Sequence, residues 1–199
     1  MPERRTQTER REATRAALVD AGKRLFAQRG YAGVSAEELV AEAGVTRGAL
    51  YHHFDGKRGL FAAVYEAVEA ELMSNFALED FVGADPFSIL RAGAGQSLDL
   101  SLDHSVQRIA LIDAPAVLGW ERWHEVQVRH GLGLLVAGIT AAIEAGQLKP
   151  LPVDELANAL LGTLVEAALY VSRAADQDAA RDRMLAVLEA FLDGLRADA

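Results

Sequence analysis

Apolar residues recur at three- and four-residue spacing along nearly the whole chain. Leu18, Gly22, Leu25 and Phe26 form one such set, and Phe61, Val64, Tyr65, Val68 and Leu72 another. Met184, Leu188, Phe191 and Leu195 repeat the pattern near the C-terminus. That period belongs to helices with one buried face. No segment alternates with period two for long enough to suggest a sheet, so the expected fold class is all-α. The 199 residues suffice for one or two modest domains. Cysteine is absent, which removes disulfides, zinc fingers, thiol catalysis and iron–sulfur clusters.

Helix punctuation predicts about nine helices. The first runs from about Glu9 to Arg29 and stops at Gly30. Ser35 and Glu38 form a capping box for a second that ends near Gly44. Thr46 caps a third, through about His53, and Asp55 a fourth, to about Asn75. Asp85-Pro86 supplies a cap and a first-turn proline for the fifth. A short sixth follows at Ser105 to Asp113. Pro115 then opens a long seventh ending at Gly146, Pro152 an eighth to about Ala175, and Asp178 a ninth. The Arg-rich opening MPERRTQTERREATR has no apolar segment and is not expected to direct export. The apolar run Gly131 to Ile143 is too short for a bilayer, and Leu156 to Val171 carries Asn158 and Glu166. Both read as buried helices, with no membrane partner and a cytoplasmic location expected.

The formal charge of -9 hides an uneven distribution. Through Leu60 there are eleven Lys/Arg against eight Asp/Glu; beyond it, nine against twenty-one. A basic head on an acidic body fits nucleic-acid contact at one end. Within the head, SAEELVAEAGVTRGALYHHF (Ser35 to Phe54) carries the most information. Gly44 permits the left-handed turn of a tight helix junction, and Leu39, Val45 and Leu50 are spaced to lock two short helices together. Burying those three leaves Thr46, Arg47, Gly48, Tyr51 and His52 facing outward on the second helix. This is a helix-turn-helix pattern, whose second helix enters a DNA major groove. Tyr51-His52-His53 alone suits an aromatic lid on a polar helix end better than a DNA contact; the capping box, glycine turn and Lys57 in register reverse that preference.

Residues from about Arg11 to Val68, most strongly GYAGVSAEELVAEAGVTRGALYHHFDGKRGLFAAV, resemble the DNA-binding domain of tetracycline-repressor-type (TetR-family) transcriptional regulators. Tyr51-His52-His53-Phe54 followed by Lys57 and Leu60 is the specific part. Val40 departs from the small alanine usual at the helix crossing. The resemblance implies a DNA-binding domain over residues 1–55 and a ligand-binding and dimerisation domain over residues 56–199. It assigns Arg47 to reading a base edge, since a guanidinium can donate bidentately to guanine. Gly48 would let the backbone approach the groove. Ser35, Thr46, Tyr51, His53 and Lys57 would contact phosphate or sugar, with His52 beside a base. Arg4, Arg5, Arg10 and Arg11 would follow the backbone or minor groove.

The family resemblance weakens beyond about Met73, although ALIDAPAVLGWERWHE (Ala110 to Glu125) is similar to a stretch in a subset of these regulators. The resemblance implies a small-molecule effector in the body. Residues joining aromatic surface to a polar handle are the candidate contacts: Trp120 and Trp123, with His104, Asp113, His124, Glu166 and Tyr170. Packing against a neighbouring helix is the other reading of each tryptophan. Glu166, in an apolar run, calls for a ligand cation, an arginine across a subunit interface, or water. His104, His124 and His130 lack the i, i+4 pairing of a helical metal motif, so neither metal nor cofactor is expected. Gly131-Leu132-Gly133 lacks the third glycine of a dinucleotide loop. The eighth helix is apolar nearly all round and needs cover on both sides. A homodimer interface through Leu161, Val165, Leu169, Val187 and Phe191 is therefore expected. The function expected is a homodimeric, ligand-released repressor on a palindromic double-stranded operator. A small helical enzyme, or a helical scaffold without DNA binding, is the alternative.

Overall fold

The computed structural model describes residues 6–74 and 83–197. Helix α1 (Gln7–Arg29) starts with a capping box: the Glu9 amide donates to the Thr6 hydroxyl at 3.2 Å, and the Thr6 amide donates to the Glu9 carboxylate at 2.6 Å. Helices α2 (Ala36–Glu42), α3 (Arg47–His53) and α4 (Gly56–Ser74) complete the head and lead away from it. The expected end of α4 at Asn75 lies outside the described residues, as do Arg4 and Arg5 of the arm. In the body, α5 (Pro86–Leu100) has Asp85 as its cap, accepting from the Ser88 amide at 3.0 Å.

The next helix departs from expectation. A π-helical stretch, Val106–Asp113, runs directly into α6 (Ala114–Leu118), with Pro115 inside the run. Gly119, at φ 87°, breaks the chain there. Few L-residues adopt that backbone angle, so the glycine rather than the proline is the boundary. The long helix begins at Trp120: α7 (Trp120–Gln127), a π-helical turn (Val128–Leu132) and α8 (Gly133–Glu144) are continuous over 25 residues. Among the described residues it is the one helix long and apolar enough to cross a membrane, which the run from Gly131 alone is not. Here it packs against α5 and α9. Helices α9 (Val153–Ser172) and α10 (Gln177–Asp193) close the body. Asp176, not Asp178, caps α10, accepting from the Ala179 amide at 3.0 Å. Counting each π-helical stretch with its continuation, the described residues form nine helical runs, an all-α fold as expected.

Two apolar cores result. One joins Leu18 and Phe26 of α1, Leu39 and Leu50 of the helix pair, and Leu60, Phe61 and Val64 of α4 to Ile109, Leu118 and Trp123. The other sits among α5, α8, α9 and α10, around Leu98, Ile139, Ala157 and Leu188. Because the first core crosses from head to body, α4 and α6 carry the head as one packed unit. Phe61 meets both Phe26 (5.1 Å, 79°) and Tyr31 (5.0 Å, 69°) edge-on, the geometry aromatic quadrupoles favour.

Polar contacts then latch α6 to the head. The Tyr31 amide donates to the Asp113 carboxylate at 2.6 Å, and the same carboxylate lies 3.3 Å from the Arg108 guanidinium. That guanidinium fills the space beside Gly30, where a Cβ would overlap it. From α4, Arg58 donates to the Val117 and Leu118 carbonyls at 3.2 and 3.3 Å. Those carbonyls lie at the end of α6, where the helix has no further amides to offer them. On the body side, the Trp123 indole donates to the Ala110 carbonyl at 2.9 Å, and the Tyr65 hydroxyl to the Trp123 carbonyl at 3.1 Å.

Glu69 lies one turn beyond Tyr65 and is only 7% exposed. Burial raises its pKa from 4.5 to about 7, with the nearby Tyr65 hydroxyl opposing the rise. The native carboxyl holds a proton that the unfolded chain releases. Its contribution is therefore full below the unfolded value and is lost as pH rises through about 7, a swing of roughly 3 kcal/mol. Glu69→Gln, neutral throughout, should melt above the parent at pH 8 and lose that advantage by pH 5. Thermal melts across this range check it; parallel profiles would contradict it. Asp113→Ala should destabilise by about 2–3 kcal/mol, because it strands the Tyr31 amide and Arg108. Asp113→Asn, which still accepts from the amide, should lose less. Denaturant unfolding of both variants separates the hydrogen bond from the charge.

Candidate nucleic-acid interface

Local chemistry builds the helix pair in the head. The Ser35 hydroxyl accepts from the Glu38 amide at 3.2 Å, while the Ser35 amide and hydroxyl both donate to the Glu38 carboxylate at 2.8 Å. Helix α2 ends as Gly44 turns to φ 65°. The Val45 amide donates to the Val40 carbonyl at 3.0 Å, closing the turn. Thr46 caps α3, accepting from the Ala49 amide at 3.3 Å. Leu39 and Leu50 are fully buried and Val45 packs on them, as their spacing predicts.

Locking these three leaves one face of α3 bare. Thr46, Arg47, Gly48, Tyr51 and His52 are exposed, Tyr51 by 55%. A Cβ on Gly48 would meet nothing nearer than the Thr46 hydroxyl at 3.9 Å, so the helix backbone itself is open to close approach. Arg10 and Arg11 are exposed near the start of α1. His53 is half-buried; burial first, then the neighbouring cations His52, Arg11 and Arg15, hold its pKa below the usual value.

Two of the expected phosphate contacts have other work as well. The Ser35 hydroxyl is committed to its capping box. Lys57 is half-buried with its ammonium 4.1 Å from the centre of the Tyr31 ring. Burial lowers its pKa, while Asp113 and Glu38 pull the other way. Sequence reasoning also missed the carboxylates of α2. Glu37 pairs with Arg47 at 2.9 Å, Glu38 with Arg29 at 2.8 Å, and Glu42 with Arg24 at 3.0 Å. The Glu38 pKa falls to about 2, mainly through Arg29 and then Ser35. Three head cations thus carry a counter-charge of their own.

Of the residues expected around an effector, Trp120, Trp123 and His124 come together on α7. Asp113 belongs to the latch, accepting from the Tyr31 amide with the Arg108 guanidinium as its counter-charge. Trp123 is buried and bonded to Ala110, the packing alternative for that residue. Trp120 is 64% exposed and stacks on His124 (5.3 Å, 8°). His104, Glu166 and Tyr170 are exposed elsewhere. A cavity of about 180 Å³ lies instead between head and body, lined by Lys23, Val68, Glu71, Leu72, Leu100, Asp103, Ser105 and Val106.

The expected interface stripe on α9 is also out of phase. Leu161 is buried, within contact distance of Gly131, while Val165 and Leu169 pack on the first core. The bare face lies one residue further round, through Gly162, Glu166 and Tyr170. On α10, Val187 and Phe191 are exposed by 60% and 57%, as a surface awaiting cover would be. A helix apolar on two stripes has no phase that its sequence alone can fix, since each step turns it by about 100°.

Known proteins share both halves of this architecture. Residues 18–64 match the family of bacterial regulatory proteins described as the tetR family, and residues 87–195 match a tetracyclin repressor-like C-terminal domain. A TetR-family transcriptional regulator from Pectobacterium atrosepticum, solved by crystallography, is 36% identical and superposes with a TM-score of 0.85, over 98% of this chain and 99% of that one. The Transposon Tn10 TetC protein of Escherichia coli is 26% identical over 98% of this chain and 99% of its own length. RolR, solved in complex with resorcinol, shares the fold at 21% identity and a TM-score of 0.73, over 94% of this chain and 95% of that one. With a helix-turn-helix head and a matching helical body, this chain belongs to the TetR family of DNA-binding transcriptional regulators, which are not enzymes.

Proposed function

We propose that the protein is a homodimeric repressor of the cytoplasm, which binds a palindromic operator and is released when a small molecule occupies its body. Residues 1–55 read DNA and residues 56–199 sense and dimerise. The observation that carries the reading is the bare face of α3, where Arg47, Tyr51 and His52 surround the open backbone at Gly48. Arg47 donates to a base edge; Thr46, Tyr51, His53 and Lys57 hold phosphate or sugar. The helix dipole adds the α2 amides beyond Ser35 to the phosphate contacts.

The apolar patch of Val187 and Phe191 supports a second copy as its cover, with the Gly162, Glu166 and Tyr170 face of α9 alongside. Two heads on such a dimer would enter successive major grooves about 34 Å apart. RolR, of the same fold, holds resorcinol. For this chain, the cavity between Lys23 and Asp103 is where a small molecule would bear on head and body together. Release needs differential affinity for two head spacings, and about 1–3 kcal/mol of coupling loosens DNA roughly 5–150-fold.

Phe191→Asp tests the assembly on which this reading depends. Placing a carboxylate in the proposed bundle should convert a dimer to monomer in sedimentation and weaken binding to a palindromic operator by at least about tenfold. Far-UV circular dichroism should stay unchanged, because Phe191 is exposed within the protomer. A wild-type chain sedimenting as a monomer at micromolar concentration would overturn the dimer.

A further inference from the structure

Glu37 occupies the first turn of α2, and its carboxylate lies 2.9 Å from Nη1 of Arg47, the first residue of α3. Both side chains are mostly exposed. The Tyr51 ring lies beside the guanidinium, 5.8 Å from Cζ to centroid. The remaining α2 carboxylates cannot substitute, since Glu38 is engaged by Arg29 and Ser35 and Glu42 by Arg24. The candidate base reader is therefore held in a frame of one carboxylate and one ring before DNA arrives.

We infer that Glu37 is a specificity-determining residue that acts through Arg47, discounting its attraction to phosphate while leaving its donors free for a base edge. The inference rests on the reading that Arg47 contacts a base. Two energies separate the possible targets of an arginine. Attraction to a phosphate is charge on charge, and a carboxylate already beside the guanidinium cancels much of it. Recognition of guanine O6 and N7 is hydrogen bonding to a neutral edge, and depends on where the N–H groups point. Arginine has five N–H donors, and Glu37 meets the group at Nη1, so donors remain for a base. The frame also limits the rotamers from which the side chain reaches phosphates at random. Non-specific binding falls, and sequence-specific binding keeps most of its strength.

The test uses the full chain and random duplexes, from which the wild-type protein selects its preferred sequence. Affinity for the selected duplex and for a scrambled one is then measured by fluorescence anisotropy. Glu37→Gln should raise affinity for the scrambled duplex by about three- to tenfold at roughly 0.1 M salt, with a much smaller change on the selected duplex. Glu37→Asp, which keeps the charge, should restore most of the wild-type ratio. In an Arg47→Ala background, Glu37→Gln should leave the ratio unchanged. An undiminished effect there would show that Glu37 merely repels phosphate and would overturn the inference. So would a Glu37→Gln protein with the wild-type ratio. If Arg47→Ala itself still selects the full wild-type sequence, the assignment of Arg47 fails, and this proposal with it. Loss of base preference in Arg47→Ala beside an indifferent Glu37→Gln would overturn the role of Glu37 alone.

Discussion

A single buried carboxylate holds the reading head to the rest of the molecule. Asp113 takes a backbone hydrogen bond from Tyr31, just beyond the end of α1, and an ion pair from Arg108 on its own helical run. Gly30 gives the guanidinium room, and its positive φ also ends α1. Removing the carboxylate would leave the Tyr31 amide without its acceptor and the guanidinium without its counter-charge, which costs more than the net worth of the contacts themselves. The latch lies beside the Phe26–Tyr31–Phe61 cluster, so polar and apolar fixing points coincide. Any movement of α6 must therefore move the end of α1 or break this joint. That is a physical route from the body to the head.

The electrostatics of the head follow a second rule. Its excess of cations is small, and α2 takes three arginines as partners. Arg58 is spent on the carbonyls of α6, and Lys57 rests over Tyr31. What faces DNA is therefore a narrow set on and around α3 and the start of α1, in which Arg47 and Lys57 already have neighbours of their own. An acidic body beyond it repels phosphate and keeps the duplex at one end of the molecule. The charge pattern thus orients binding as much as it strengthens it.

The parts legible in the sequence are those decided by neighbours in the chain. The Ser35–Glu38 box, the Thr46 cap, the turn at Gly44 and Asp85-Pro86 involve residues within a few positions of each other, and all stand as read. The burial of Leu39, Val45 and Leu50 followed from spacing alone. Choosing Pro115 over Gly119 as a helix start failed because a proline near the head of a helical run also fits inside it, whereas φ 87° fits almost only glycine. Asp113 was read as an effector contact because its donor, Tyr31, is 82 residues away. The phase of α9 was ambiguous because two stripes are apolar, and only packing against the first core turned Val165 and Leu169 inward. Glu37 left no local signal: its partner is ten residues on, across a turn, at no helical spacing.

If the head is latched as described, the Tyr31 amide is among the slowest to exchange in the whole head. Its nitrogen lies 2.6 Å from the oxygen of a buried carboxylate, although Tyr31 itself is in the turn after α1. Amide hydrogen exchange followed by NMR on the intact protein measures this directly. The account predicts protection of the Tyr31 amide equal to that of core amides such as Phe61, opening only with the fold as a whole. Exchange of Tyr31 at the rate of an unprotected turn, with Phe61 still protected, would show that the head is not held through Asp113.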